Sequence, residues 1–430
     1  MSNAIGVNKN SSLVLLVLLS TFLFQITAYK FIWGLELLSR VVNILILTGL
    51  TFYLSHIFLC SKIGATQLFY YVIPVLLVVL GMGTNLVMSV WANPKVVNQV
   101  GLLLPWLMCL SMPWLVKFGK INVPVLWRYF FYFILIGVLS GLVEYFLIFR
   151  GLVGVRLIET SGGPFMAGRF SMLYELGTGE LHYRFYAGFM EPGTLAMFIL
   201  PTMVYAIIHR KYMALAVLSV GMYLTDSLGG FVGVAMIFPL LVLFAPSSKN
   251  VLVKVVHLTL AFFLTLLFLF LFSGYFLEQY RQKIGSAEVR EENIQGTFRN
   301  APEIIASYPF GLLRKESTLE MEGNILYSGN NFTPGNALIE GGFLSFIGYS
   351  FILILSLWVA LSSLVKGKLS DSEKIICISI VVLFPFIFQR QTIWDSSLFA
   401  LLFAPHILKH ISSRWSRAIP RYPPKIGGPI

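Results

Sequence analysis

Residues 125–149 read VLWRYFFYFILIGVLSGLVEYFLIF, a run of 25 residues with two charged side chains, Arg128 and Glu144. Coiled as an α-helix it is about 37 Å long, more than the ~30 Å of hydrocarbon in a bilayer. Similar apolar stretches recur near 12–28, 41–60, 68–90, 99–116, 190–208, 213–225, 228–244, 252–273, 342–364, 375–389 and 397–411. Mean hydropathy is +0.81 and only 12% of residues are charged, against about a quarter in soluble domains. The predicted fold is therefore an all-α polytopic membrane protein with about 12 transmembrane helices, one integral domain over residues 1–430. The first span follows a short polar segment without a small-residue cleavage site, so it reads as an uncleaved anchor.

With both termini placed in the cytoplasm, the cytoplasmic segments hold 12 Lys and 5 Arg, and the extracytoplasmic ones 4 Lys and 10 Arg. Positive-inside bias explains the lysines but not arginine on the far side. Most of those arginines fall in two long polar loops, 150–189 and 274–341. A guanidinium offers a fork that grips phosphate with two hydrogen bonds, whereas Lys offers a point charge. The net charge of +12 is spread over span ends without a contiguous basic face, which argues against nucleic acid as a partner. Cys60, Cys109 and Cys377 are odd in number and lie far apart in apolar runs, so they supply neither a disulfide framework nor a metal site.

Two local patterns depart from simple spans. Met213–Leu224 reaches only about 18 Å as a helix. Its continuation, Thr225-Asp226-Ser227-Leu228-Gly229-Gly230, holds capping residues and packing glycines, which predicts a turn sunk below the membrane surface as a cavity floor; the alternative is a tilted hairpin in which Asp226 only caps a helix. Arg184-Phe-Tyr-Ala-Gly-Phe-Met-Glu191-Pro192-Gly193 precedes another span, and Pro192 suits a helix start. The free N–H groups and positive end of that helix, beside Arg184, make an anion site; the alternative is an Arg184–Glu191 salt bridge serving as a cap. In the second loop, Arg299 to Gly311 predicts a short helix ending in a turn, and Arg281, Arg290, Arg299 and Arg314 are the groove candidates.

This order of features resembles the O-antigen polymerase and ligase superfamily, over nearly the whole chain. The matching residues are Arg184 to Pro192, the paired short spans around Thr225 to Gly230, the long loop, and Asn336-Ala-Leu-Ile-Glu340-Gly341 ahead of the next span. The resemblance implies a GT-C-like helical bundle and a membrane glycosyltransferase of the bacterial cytoplasmic (inner) membrane. Such an enzyme joins undecaprenyl-pyrophosphate-linked repeat units at the outer face without metal or cofactor. Ligases of this superfamily place a His near the end of the long loop; here Asn331 to Asn336 contains none, which favours a polymerase. The family's Arg-to-Gly spacing is approximated by Arg299 and Gly311, one residue longer.

Expected partners are the lipid-linked glycan donor and acceptor and the bilayer, with a chain-length regulator and a flippase as further ones. The chain has three Asp, at 226, 371 and 395, and no Asp-x-Asp, which disfavours a metal-held nucleotide sugar. Transfer from a lipid pyrophosphate instead needs a cation clamp, a base and a glycan groove. Arg184 and Arg299 are the clamp candidates, with Arg169 and Arg281 behind them. The base is open among Glu191, Asp226, Glu340 and His182. Tyr174, Tyr183, Tyr186 and Tyr327 are suited to stacking on sugar rings or to anchoring at the interface. The competing readings are an O-antigen ligase and a lipid-linked oligosaccharide flippase, although the longest loop does not divide the chain into two six-span halves.

Overall fold

The computed structural model describes residues 18–21, 23, 27–60, 64–92, 103–117, 122–160, 163–175, 184–243, 256, 259, 263, 284–311, 332–366, 369–388 and 398–415. The principal helices are α1 (Glu36–Cys60), α2 (Ile73–Ala92, continuing a π turn at Leu68–Val72), α3 (Leu104–Lys117) and α4 (Val123–Phe149). After a three-stranded sheet come α5 (Pro192–Ile208), α6 (Tyr212–Leu224), α7 (Leu228–Leu243), α8 (Ile284–Ser307), α9 (Thr333–Lys366), α10 (Asp371–Leu383) and α11 (Ala404–Trp415).

Among the described residues, Leu68–Trp91, Val123–Phe149 and Thr333–Val365 are long and apolar enough to cross a membrane. Leu104–Leu115, Pro192–Ile208, Tyr212–Leu224, Leu228–Leu241 and Phe399–Ser412 are apolar but shorter. The chain is thus a mostly helical membrane protein, and its described helices do not yield twelve spans. Two expected spans, 12–28 and 252–273, lie largely outside the described residues. Another changes form along its length: the segment expected at 375–389 is α10, which begins at Asp371, followed by a 3-10 turn, Phe384–Phe388.

The helix ends follow local chemistry. Asn122 caps α4 by accepting the Val125 N–H (3.4 Å), with Pro124 in the first turn. Glu191 stands in extended conformation at the N-cap of α5, and the helix starts at Pro192 as predicted. From Pro192 to Ala206 every residue of α5 is buried, so this helix is the axis of the core; α4, α6, α7 and α10 pack around it. On the other flank α9 crosses α2 so closely that a Cβ on Gly81 would sit 2.3 Å from the Gly341 carbonyl oxygen, and one on Gly348 would sit 2.4 Å from that of Pro74. Small residues at such crossings let backbones touch and gain dispersion energy that lipid-facing contacts do not provide.

Two features correct the predicted outline. The stretch 150–189, expected as a loop of an all-α fold, carries an antiparallel sheet of β1 (Arg156–Thr160), β2 (Gly163–Ala167) and β3 (Met172–Glu175). Arg156 pairs with Ala167, Thr160 with Gly163 and Met166 with Tyr174, with an irregularity at Met166/Ala167. The stretch 274–341 is not a loop to its end: α8 occupies residues 284–307 and α9 begins at Thr333, so Asn336 and Glu340 are already helical. Pro334 is at home in that first turn. α9 then kinks at Gly342, whose φ of 65° and ψ of −158° are open to glycine alone. The turn Pro309–Gly311 docks on the kink, with Phe343 N–H donating to the Pro309 carbonyl (3.1 Å).

Side-chain contacts sort the ends of the bundle. The N-terminus of α4 lines one cavity with the N-terminus of α10 and with α11, so the sheet, which follows the C-terminus of α4, lies at the opposite end. Phe388, beyond the C-terminal end of α10, stacks on Phe332 (5.8 Å between centroids), which in turn meets Phe298 of α8 (5.9 Å). The starts of α5 and α9, the α6–α7 turn and α8 therefore share the end that carries the sheet.

Candidate functional site

The most tightly organised group at this end is one that sequence reading passed over. Glu144, 5% exposed, points its carboxylate into the turn between β2 and β3. One oxygen accepts the N–H of Arg169 (2.6 Å). The other accepts the N–H groups of Phe170 (2.7 Å) and Ser171 (2.8 Å) and the Ser171 hydroxyl (3.0 Å). A buried carboxylate is costly unless such donors replace its water, and here four do. Gly168 makes room for it, since a Cβ there would lie 2.4 Å from the carboxylate. The turn is held from its far side as well. Trp33 Nε1–H donates to the Arg169 carbonyl (2.9 Å) and the Tyr29 hydroxyl to that of Phe170 (3.3 Å). Burial raises the Tyr29 phenol well above its ordinary range; the Ser140 hydrogen bond opposes this and the Glu144 charge adds to it. The signal in the sequence was Glu144 itself, the one charged residue between Arg128 and Arg150. An ionisable group inside an apolar span is a functional or structural anchor by default.

Arg184 lies one layer in. Its Nε–H donates to the Thr225 carbonyl (3.3 Å) and its Nη2–H to that of Asp226 (3.0 Å), at the C-terminal end of α6. Carbonyls there lack helical partners and carry the negative end of the dipole, so a cation is favoured. Phe185 N–H donates to the Leu224 carbonyl (3.0 Å), and Met172 N–H to that of Ala187 (2.7 Å). The Arg184 segment is thereby tied to the α6–α7 turn on one side and to β3 on the other. Gly188 closes against the face of Tyr29, where a Cβ would fall 2.2 Å from the ring. The α6–α7 turn is short, as predicted, and Thr225 and Ser227 are buried. Ser227 caps α7 by accepting the Gly230 N–H (3.3 Å), and Asp226 sits between the helices at φ 51°.

Glu191 is exposed at the N-cap of α5, where its carboxylate accepts the Thr194 hydroxyl (3.4 Å). Asn336 is buried, and its Nδ2 has no hydrogen-bond partner among the described residues. Glu340, half-buried, stands one turn further along α9. Arg299 is exposed on α8; the stripe that packs on Leu338 of α9 is formed by Ala301, Ile304 and Ile305. The predicted turn after that helix is present at Tyr308–Gly311. Arg290 lies within α8, while His182, Arg281 and Arg314 lie outside the described residues, as do Tyr183 and Tyr327. Tyr174 lies in β3 and Tyr186 is buried in the Arg184 segment. The structure thus unites Arg184 with Asp226 through the Asp226 backbone, and Arg169 with Glu144 and Arg156 around the sheet.

No family model matches the chain, and neither a curated protein nor a solved structure matches it. Fold and site define a helical membrane protein with a cluster of arginines and carboxylates at one end.

Proposed function

We propose that this protein is a membrane glycosyltransferase that joins lipid-pyrophosphate-linked oligosaccharide repeat units into a surface polysaccharide, as the resemblance of its sequence implies. The observation that carries the reading is Arg184. Two of its N–H groups are committed to the Thr225 and Asp226 carbonyls. The guanidinium is thereby fixed in place before any substrate arrives, and among the described residues its Nη1 donors meet no partner. Preorganised donors of this kind stabilise charge that develops in a transition state without reorganising at the moment of reaction.

In the proposed step the acceptor hydroxyl oxygen attacks the anomeric carbon of the donor glycan. The bond from that carbon to the pyrophosphate oxygen breaks, and the pyrophosphate-lipid leaves with the bonding electrons. Arg184 receives the charge of the leaving group, and the hydroxyl proton passes to Glu191 or Asp226, carboxylates carried by the segments flanking Arg184. Arg299 belongs to the proposed substrate groove from α8. The twelve-span topology, with this end outside the cytoplasm of a bacterial inner membrane, is part of the same proposal and rests on the arginine–lysine sorting.

Wild-type protein in proteoliposomes, given a polyprenyl-pyrophosphate oligosaccharide, is expected to build a ladder of products. Arg184→Lys keeps the charge but loses the fork, and is expected to cut the rate by about 10²–10³ while still inserting. No ladder from the wild type, or an undiminished one from Arg184→Lys, rejects the assignment.

A further inference from the structure

The face of α4 beside the sheet differs from an ordinary lipid-exposed helix. Ile136, Leu139, Val143 and Leu147 recur at three- and four-residue spacing and stand exposed, a stripe about 16 Å long. Instead of a convex surface, this stripe forms the floor of a cleft of about 950 Å³, walled by Leu152–Val155 and roofed by Gly168, Arg169 and Phe170. A second cleft of about 560 Å³, lined by Phe31, Trp33 and Gly34, adjoins it. Arg156, Arg169 and Phe170 line both. An apolar slot floored by α4, a pair of guanidiniums shared by both clefts and a smaller cleft beyond them thus follow one another. A phospholipid has its parts in that order: chain, phosphate, headgroup.

We infer that this groove binds an anionic phospholipid of the surrounding bilayer, with one acyl chain along α4 and the phosphate between Arg156 and Arg169. Both arginines are set for this. Arg156 Nη2–H donates to the Ile32 carbonyl, which holds the side chain across the mouth of the second cleft. The backbone of Arg169 is pinned on both sides, its N–H by Glu144 and its carbonyl by Trp33, while its side chain stays exposed. Among the described residues no carboxylate forms an ion pair with either guanidinium. Glu144 also lines the first cleft, but it is 5% exposed and its carboxylate is held by four donors, so its charge does not face the groove bare. A pair of guanidiniums is matched by a lipid phosphate, which each can grip with paired hydrogen bonds. A zwitterionic lipid brings its own ammonium, which opposes a site carrying two guanidiniums. Arg184 lines neither cleft, so the inference is independent of the proposed reaction.

The test is native mass spectrometry of the detergent-purified full chain titrated with phosphatidylglycerol or phosphatidylcholine. Wild type is expected to retain phosphatidylglycerol about tenfold better. The Arg156→Gln/Arg169→Gln double variant is expected to lose that preference while its lipid-free melting temperature stays that of the wild type. Val143→Trp, which fills the slot without touching the arginines, is expected to weaken phosphatidylglycerol binding too, and serves alone where the double variant does not fold. The inference is overturned if wild type shows no preference or if the variants keep it. It is equally overturned if glycerol 1-phosphate competes as well as the whole lipid, or if a polyprenyl phosphate displaces phosphatidylglycerol at lower concentration.

Discussion

Glu144→Gln replaces a single heavy atom, an oxygen by an NH2 nitrogen, and tests how the sheet is anchored to α4. In the wild type one carboxylate oxygen accepts from Arg169 N–H at 2.6 Å, and the other accepts three donors at 2.7–3.0 Å. An amide has one acceptor oxygen. Placed toward the three donors, it turns its NH2 onto the Arg169 N–H, donor against donor. One buried N–H is then unpaired, at about 1–3 kcal/mol, and three charge-assisted bonds become neutral ones of roughly half the strength. The sum is on the order of 3 kcal/mol, felt locally because the turn hangs on this one carboxylate. Hydrogen exchange read by mass spectrometry over residues 168–171 is expected to accelerate about 100-fold, with α5 unaffected. Unchanged protection in Glu144→Gln would refute the claim that this carboxylate holds the turn.

Gly342→Ala places a Cβ 2.0 Å from the Pro309 carbonyl oxygen at a φ that disfavours any side chain; at least ~2 kcal/mol of destabilisation is expected, read as a lower thermal midpoint. Gly188→Ala drives a methyl into the Tyr29 ring, so its penalty is expected to shrink in a Tyr29→Ala background, as a double-mutant cycle measures. At the opposite end of the bundle, burial pushes Glu373 up, but the hydrogen bonds of Lys409 and Ser370 and the Lys409 charge outweigh it and hold the carboxyl at about 2. A folded-state pKa below the unfolded one stabilises fully above the unfolded value of 4.5, and the gain disappears as pH falls through about 2. Lys409→Gln is therefore expected to flatten the loss of stability between about pH 5 and pH 2, with an effect of at most ~1 kcal/mol for a pair this open to solvent. An unaltered pH profile would remove Lys409 as the cause.

The apolar helices, the start of α5 at Pro192, the short α6 and the turn after α8 were all legible, because each rests on a local rule of length, capping or proline chemistry. The sheet was not. Its strands are four or five residues long and sit among polar residues, so their two-residue alternation is too brief to stand out. The Glu144 cradle escaped because three of its four donors are backbone groups, all of them 25–27 residues away, and no side-chain motif announces them. The start of α9 was misplaced because Gly341-Gly342 reads as a boundary, whereas tertiary docking of Pro309–Gly311 turns it into a kink within one element. Arg184 was read beside the N-terminal end of the helix that starts at Pro192, whereas its hydrogen bonds hold it at a C-terminal helix end. That the end belongs to α6, with Thr225 and Asp226 accepting, required the three-dimensional arrangement.

The most direct test of the proposed reaction is a gel profile of surface glycans from cells lacking this protein, complemented with wild type or Arg184→Ala. The reading predicts a single repeat unit without the protein, a full ladder with wild type, and none with Arg184→Ala. Long chains left on the polyprenyl pyrophosphate would contradict it in favour of a ligase, and repeat units trapped at the cytoplasmic face in favour of a flippase.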